Sequence, residues 1–115
     1  VSVETDFRAA MTSYTAISDL ISSRLYAVLL PVDVIYPAIA YSHISTVPNG
    51  SGGCQLTRLQ VDCYDSAHAT VRSMRDAVVA LADSRSDYDY VVGPDFYEED
   101  DQLYHRVVDV FISHS

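Results

Sequence analysis

The chain contains no lysine and no tryptophan, only two cysteines, and glutamate only as Glu4, Glu98 and Glu99. Each shortage excludes something. Without lysine there is no P-loop, and no G-x-G-x-x-G occurs either, so nucleotide phosphates lose their usual cradles. The basic side chains are all arginines, scattered and outnumbered 16 to 7 by carboxylates, and a net charge of −9 repels polyphosphate. Sequence-specific nucleic-acid binding is therefore not expected. The longest apolar stretch, Leu25 to Tyr41, is broken by Pro31, Asp33 and Pro37 and falls short of the roughly 18 residues a membrane span needs. Glu4 and Asp6 stand where a signal peptide would be positive, so no export signal is expected.

Cys54 and Cys63 lie nine positions apart in one extended segment. Nine residues at roughly 3.3 Å each span about 30 Å, whereas a disulfide needs Cα atoms within about 7 Å. Two free thiols are expected, with Cys63 facing the core. The histidines His43, His68, His105 and His114 fall in no H-x₃₋₅-H or H-E-x-x-H spacing, so neither a metal nor any other cofactor is expected.

What is present is a globular composition, with 115 residues and 49% of them hydrophobic, enough for one domain with a core. From Thr5 to Ser22, Phe7, Ala10, Met11, Tyr14, Ile17, Leu20 and Ile21 recur at helical steps. Thr12, Ser13 and Thr15 weaken the middle of this stretch and predict a bend. Ile39 to Thr46 reads as a strand, and Val47 to Gly53 as a flexible loop. In Gln55 to Tyr64, Thr57, Leu59, Val61 and Cys63 alternate with Arg58, Gln60 and Asp62, as a strand with one wet face requires. Asp65 and Ser66 offer N-cap oxygens to a principal helix reaching Ser84, on whose outer side Arg72 and Asp76 are spaced as an i, i+4 pair. Tyr88 to Val92 and Leu103 to Ser113 read as the last strands, the first followed by a turn at Gly93-Pro94. Runs of strands without a helix after each predict an α+β domain over residues 1–115: a mainly antiparallel sheet packed against an N-terminal helix and the principal helix.

No catalytic constellation emerges. Ser51 sits among Gly50, Gly52 and Gly53 in a strand-to-strand loop and not in a G-x-S-x-G elbow. A trio of Ser51, His105 and Asp109 is written too easily in a chain this rich in aspartate to mean anything. Asp95, Glu98, Glu99, Asp100 and Asp101 lack the spacing of a calcium loop, and read as a solvated acidic hairpin tip. A small metal-binding domain or hydrolase using that cluster is the distant alternative.

The landmarks in order do carry a resemblance. An N-terminal helix is followed by Arg24-Leu25-Tyr26, a proline-bearing link, Pro37-Ala38-Ile39-Ala40-Tyr41-Ser42 and a glycine-rich loop. Then come Leu59-Gln60-Val61-Asp62-Cys63-Tyr64, a helix opening Asp65-Ser66-Ala67, and Leu103-Tyr104-His105-Arg106-Val107. This pattern resembles the tail-completion or tail-terminator proteins of long-tailed viruses. The resemblance implies a non-enzymatic virion protein, assembled in the host cytoplasm, that forms a hexameric ring at the head-proximal end of the tail tube. Its implied partners are its own copies, the tail tube protein and a head-completion or neck protein, with DNA passing through the lumen. A head-completion or neck adaptor of the same particle is the near alternative. Since a ring closes through unlike patches, its edges and loops matter most, and the candidate interface residues are Asn49, Gly50, Ser51, Gly52, Gly53, Asp95, Glu98, Glu99, Asp100 and Asp101.

The lysine-free, aspartate-rich composition fits either adaptation to high salt or a GC-rich genome. A salt series of thermal melts separates them: Tm climbs with salt under the first and stays level under the second.

Overall fold

A computed structural model describes residues 2–50 and 52–115. The helical periodicity of the N-terminal stretch becomes two helices, α1 (Val3–Ser13) and α2 (Thr15–Ile21). Ser2 caps α1 by accepting the Thr5 N–H, and Glu4 and Asp6 sit in the first turn, where the helix dipole favours acids. The expected bend falls at Tyr14, whose extended backbone (φ −84°, ψ 110°) ends one helix and starts the next. Just before it, the Thr12 and Ser13 hydroxyls donate to carbonyls three or four residues back, a competition that weakens a helix locally.

The remaining elements are β1 (Leu25–Ala27), β2 (Ala38–Pro48), β3 (Gln55–Asp65), α3 (His68–Asp83), β4 (Tyr88–Glu98) and β5 (Leu103–His114). The five strands form one sheet in the order β1-β2-β3-β5-β4. Only β1 runs parallel to its neighbour; the other pairs are antiparallel, giving the α+β architecture the strand runs predict. The helices cover one sheet face. Phe7 and Met11 of α1, Ile17 and Ile21 of α2, and Val71, Met74, Val78 and Leu81 of α3 pack there against Leu59, Val61, Val108, Val110 and Ile112. Phe7 meets the Tyr41 ring edge-on at 5.9 Å, joining α1 to β2.

Four local expectations are corrected. Gly93-Pro94 is not a turn: β4 runs on through it, and the register against β5 slips between Val92 and Asp95. The slip accommodates both residues as a bulge on an edge strand, where a proline removes no needed donor. Gly93 suits this spot because a Cβ there would stand a tight 3.1 Å from the Val107 Cβ and carbonyl oxygen, so that Val107 would have to shift to admit a side chain. The loop after β2 starts later than expected, since pairing with β3 continues to Pro48. The N-cap of α3 is Ala67, whose side chain cannot bond; Asp65 instead accepts the Ala67 N–H at 3.0 Å, two residues too early to cap the helix itself. Arg72 does not pair with Asp76, which is taken by the adjacent Arg75 at 2.7 Å.

Phe7 is the bulkiest wholly buried side chain. Phe7→Ala is expected to destabilise the fold by about 3–5 kcal/mol, while Val32→Ala, at a fully exposed position, should stay within about 0.5 kcal/mol. Urea unfolding of both variants checks the contrast.

Candidate functional site

The strand register decides where the two candidate interface segments lie. Pro48 of β2 stands beside Gln55 of β3, and Gln55 beside His114 of β5, so the β2–β3 loop caps one end of the sheet. Glu98 of β4 stands beside Leu103 of β5, and Asp65 of β3 beside Tyr104, so the acidic tip caps the other. Strands of 11 residues separate them, roughly 35 Å at about 3.3 Å per residue. The body is 47 Å in its longest dimension, and the structure does not bring the two segments together.

At the loop end, Asn49 donates its N–H to the Cys54 carbonyl at 3.0 Å. Gly50, Gly52 and Gly53 all have φ near +80°, which side chains other than glycine resist. Ser51 lies outside the described residues. Behind the loop a hydrogen-bond relay crosses three strands, from His43 to Thr46 (2.7 Å), Thr57 (2.8 Å) and His114 (2.7 Å). Thr57 is buried, and the relay satisfies its hydroxyl. A groove of ~500 Å³ opens beside His114, walled by Val3, Asp6 and Ala9 of α1 and by Arg85 and Asp87 ahead of β4.

At the acidic end, the candidates have unlike surroundings. Asp95 is paired with Arg106 across the β4–β5 ladder. Glu98 lies 4.0 Å from His105 Nδ1, while His105 Nε2 donates to the Asp62 carboxylate at 3.0 Å. Glu99, Asp100 and Asp101 are exposed in the turn and form no ion pair among the described residues. Asp62, expected on a wet face, is in fact buried. Gln60 donates to its carboxylate at 3.1 Å, and the Tyr64 ring stacks on His105 at 4.2 Å. Burial, then Asp62 and Glu98, push the Tyr64 hydroxyl up to about 12. Burial also raises Tyr36, helped by Asp101 and Glu98, which places the end of the β1–β2 link beside the acidic tip.

His105 and Asp109, two members of the trio written with Ser51, are engaged by Asp62 and by Arg58 at 3.1 Å. Among the described residues no three His, Cys, Asp or Glu side chains cluster as metal ligands would, and no helix is long and apolar enough to cross a membrane.

The surface that sequence reasoning missed is the link from Val28 to Tyr36, which exposes Val28, Leu29, Val32 and Ile35. Its signal was present: an apolar run broken by Pro31 and ended by Pro37 fits neither a helix nor an alternating strand, and so has no layer in which to bury itself.

A family model described as "Tail completion protein gp17" matches residues 5–114. The chain belongs to that family. The chain also shares its fold with a chain in a solved structure described as "Virion of native gene transfer agent (GTA) particle". The TM-score is 0.59 at 10% identity, over 92% of this chain and 90% of that one. A comparison with curated proteins finds no match. Membership in that family makes the chain a structural component of a tailed particle, associated with other tail or head proteins.

The two thiols of the chain should behave oppositely. Cys54 is exposed, whereas burial, reinforced by Asp62, pushes Cys63 from 9.0 up to about 12. One thiol per chain is expected to react with a chromogenic disulfide reagent in the native state, and two in denaturant. Because Cys63 and Tyr64 hold their protons more tightly folded than unfolded, they favour the fold less as pH rises. Tm should fall between pH 9 and 12, and Cys63→Ala should remove part of that fall.

Proposed function

We propose that this protein closes into a hexameric ring on the head-proximal end of the tail tube, stops further tube subunits from adding, and presents the face that joins the neck. The observation that carries this reading, beyond the family match, is the chemical polarity of the body. One end of the sheet is a glycine-rich loop and the other an acidic tip, some 35 Å apart by strand length. A cap set between two different partners needs two different ends, and a body with unlike ends supplies them. A sheet with two unlike edges can in turn repeat side by side through heterologous contacts.

The charge fits the same role. At −9 per chain, carboxylates facing the lumen would let DNA pass without adhering. Six such chains repel one another, so ring assembly is expected to strengthen with salt up to the point where screening is complete.

The test is electron microscopy of particles made without this chain. The expected result is over-long tails of variable length beside tailless, DNA-filled heads. Tails of normal length beside heads that have lost their DNA would overturn the capping role in favour of head completion. Normal particles would remove both.

A further inference from the structure

The two lateral edges of the sheet are unlike. On one side, β1 continues into a strap, residues 28–37, which must run back along β1 so that β2 can start parallel to it. Parallel neighbours are usually joined through a covering helix; ten residues allow none. Both ends of the strap are fastened. The Val28 N–H donates to the Tyr41 carbonyl at 2.8 Å, and Arg24 Nε donates to the Pro37 carbonyl at 2.8 Å. Val28 itself is held at φ +69°, with the Leu29 N–H bonded back to the Ala27 carbonyl. That conformation is strained for a β-branched residue and is typical of sites where the surroundings over-determine the backbone. Between the anchors, Val28, Leu29, Val32 and Ile35 are 65% to 107% exposed.

On the other side lies β4, paired on one flank only. Val91, Val92, Phe96 and Tyr97 are 42% to 57% exposed along it. Four strand spacings, about 19 Å, separate β1 from β4, and the strap leaves β1 at Val28 and ends at Tyr36 on the side of the acidic tip.

Charge divides the chain in the same way. Residues 20–61, which hold β1, the strap, β2 and most of β3, carry only Arg24, Asp33 and Arg58, a net +1. Residues 62–115 carry a net −8, with Asp87, Asp89, Asp95 and Glu98 on or beside β4.

We propose that the strap of one copy seats on the β4 edge of the next copy. Two β4 edges repel each other through these carboxylates, whereas the apolar strap, whose one charged residue is Asp33, sets a single carboxylate against that edge. A contact between opposite edges of the same sheet is heterologous, so every copy offers one of each surface and the contact repeats from copy to copy. The fastened ends of the strap keep its apolar residues in place before contact, which lowers the ordering entropy of association. This inference deepens the ring reading and rests on it only for the closing of the chain of contacts.

Cross-linking tests the contact even where it is transient. In a Cys54→Ser background, where the remaining thiol is the buried Cys63, Ile35→Cys and Phe96→Cys are made singly and together and treated with a short bismaleimide. The double variant is expected to give a ladder of covalent oligomers, each single variant none, and an equal mixture of the two single variants dimers only. Adding Leu29→Asp, an exposed position, to the double variant should abolish the ladder. The proposal is overturned if Ile35→Cys alone yields dimer, which signals a symmetric contact. It is equally overturned if the double variant cross-links no more than a control pairing Ile35→Cys with Ser73→Cys on the exposed face of α3. A ladder ending at six copies supports the ring as well. A ladder with no end keeps the contact and removes the ring.

Discussion

The pairing of β3 with β5 is the constraint on which the rest of this protein depends. It runs unbroken from Gln55 opposite His114 to Asp65 opposite Tyr104. It sets Leu59 against Val110 and Val61 against Val108 on the face the helices cover, and Tyr64 against His105 on the other. A slip by one residue would turn every one of these side chains to the wrong face. The same ladder determines which ends meet: because β3 and β5 are antiparallel, the loop before β3 lies beside the C-terminus, and the turn before β5 lies beside the start of α3.

Where this ladder is regular, the sheet is a scaffold; where the neighbouring ladders are not, the surface gains its character. The slip at Gly93-Pro94 lets β4 continue as a long edge past the point where it would otherwise end, and carries Phe96 and Glu98 up to His105. The parallel start of β2 forces the chain to cross back over β1 as a strap. Both irregularities expose apolar side chains, and both lie at lateral edges, where no further strand of this chain is present to cover them. An assembling protein is expected to concentrate its irregularity there, because edges are where another copy can add.

Burial shows the same division. Asp62 lies on the face away from the helices, yet it is covered, with Gln60 and His105 bonded to it and Tyr64 stacked alongside. Such a network ties β3 to β5 across the face that the helices leave uncovered. The tip beyond it, Glu99 to Asp101, stays in water.

Much of the fold was legible in the chain itself, because periodicity is a local property. Thr57, Leu59, Val61 and Cys63 alternate, and all four are buried; Phe7, Ala10 and Met11 recur at helical steps, and all three face the core. The family could likewise be read from the order of landmarks, which the family model matches over residues 5–114. What sequence could not determine were properties that depend on a partner strand. Gly93-Pro94 has the composition of a turn and becomes a bulge only because β5 holds both halves of β4. Asp62 has the alternation of an exposed residue and is buried only because His105, 43 residues away, arrives beside it. The candidate loop and the acidic tip were read as parts of one candidate interface, and the antiparallel register sent them to opposite ends. The exposure of Val28 to Ile35 was a tertiary decision as well: an apolar run predicts burial until the topology leaves it no layer to enter. Local pattern determined what each segment is, and long-range pairing, which no single segment encodes, decided what each one faces.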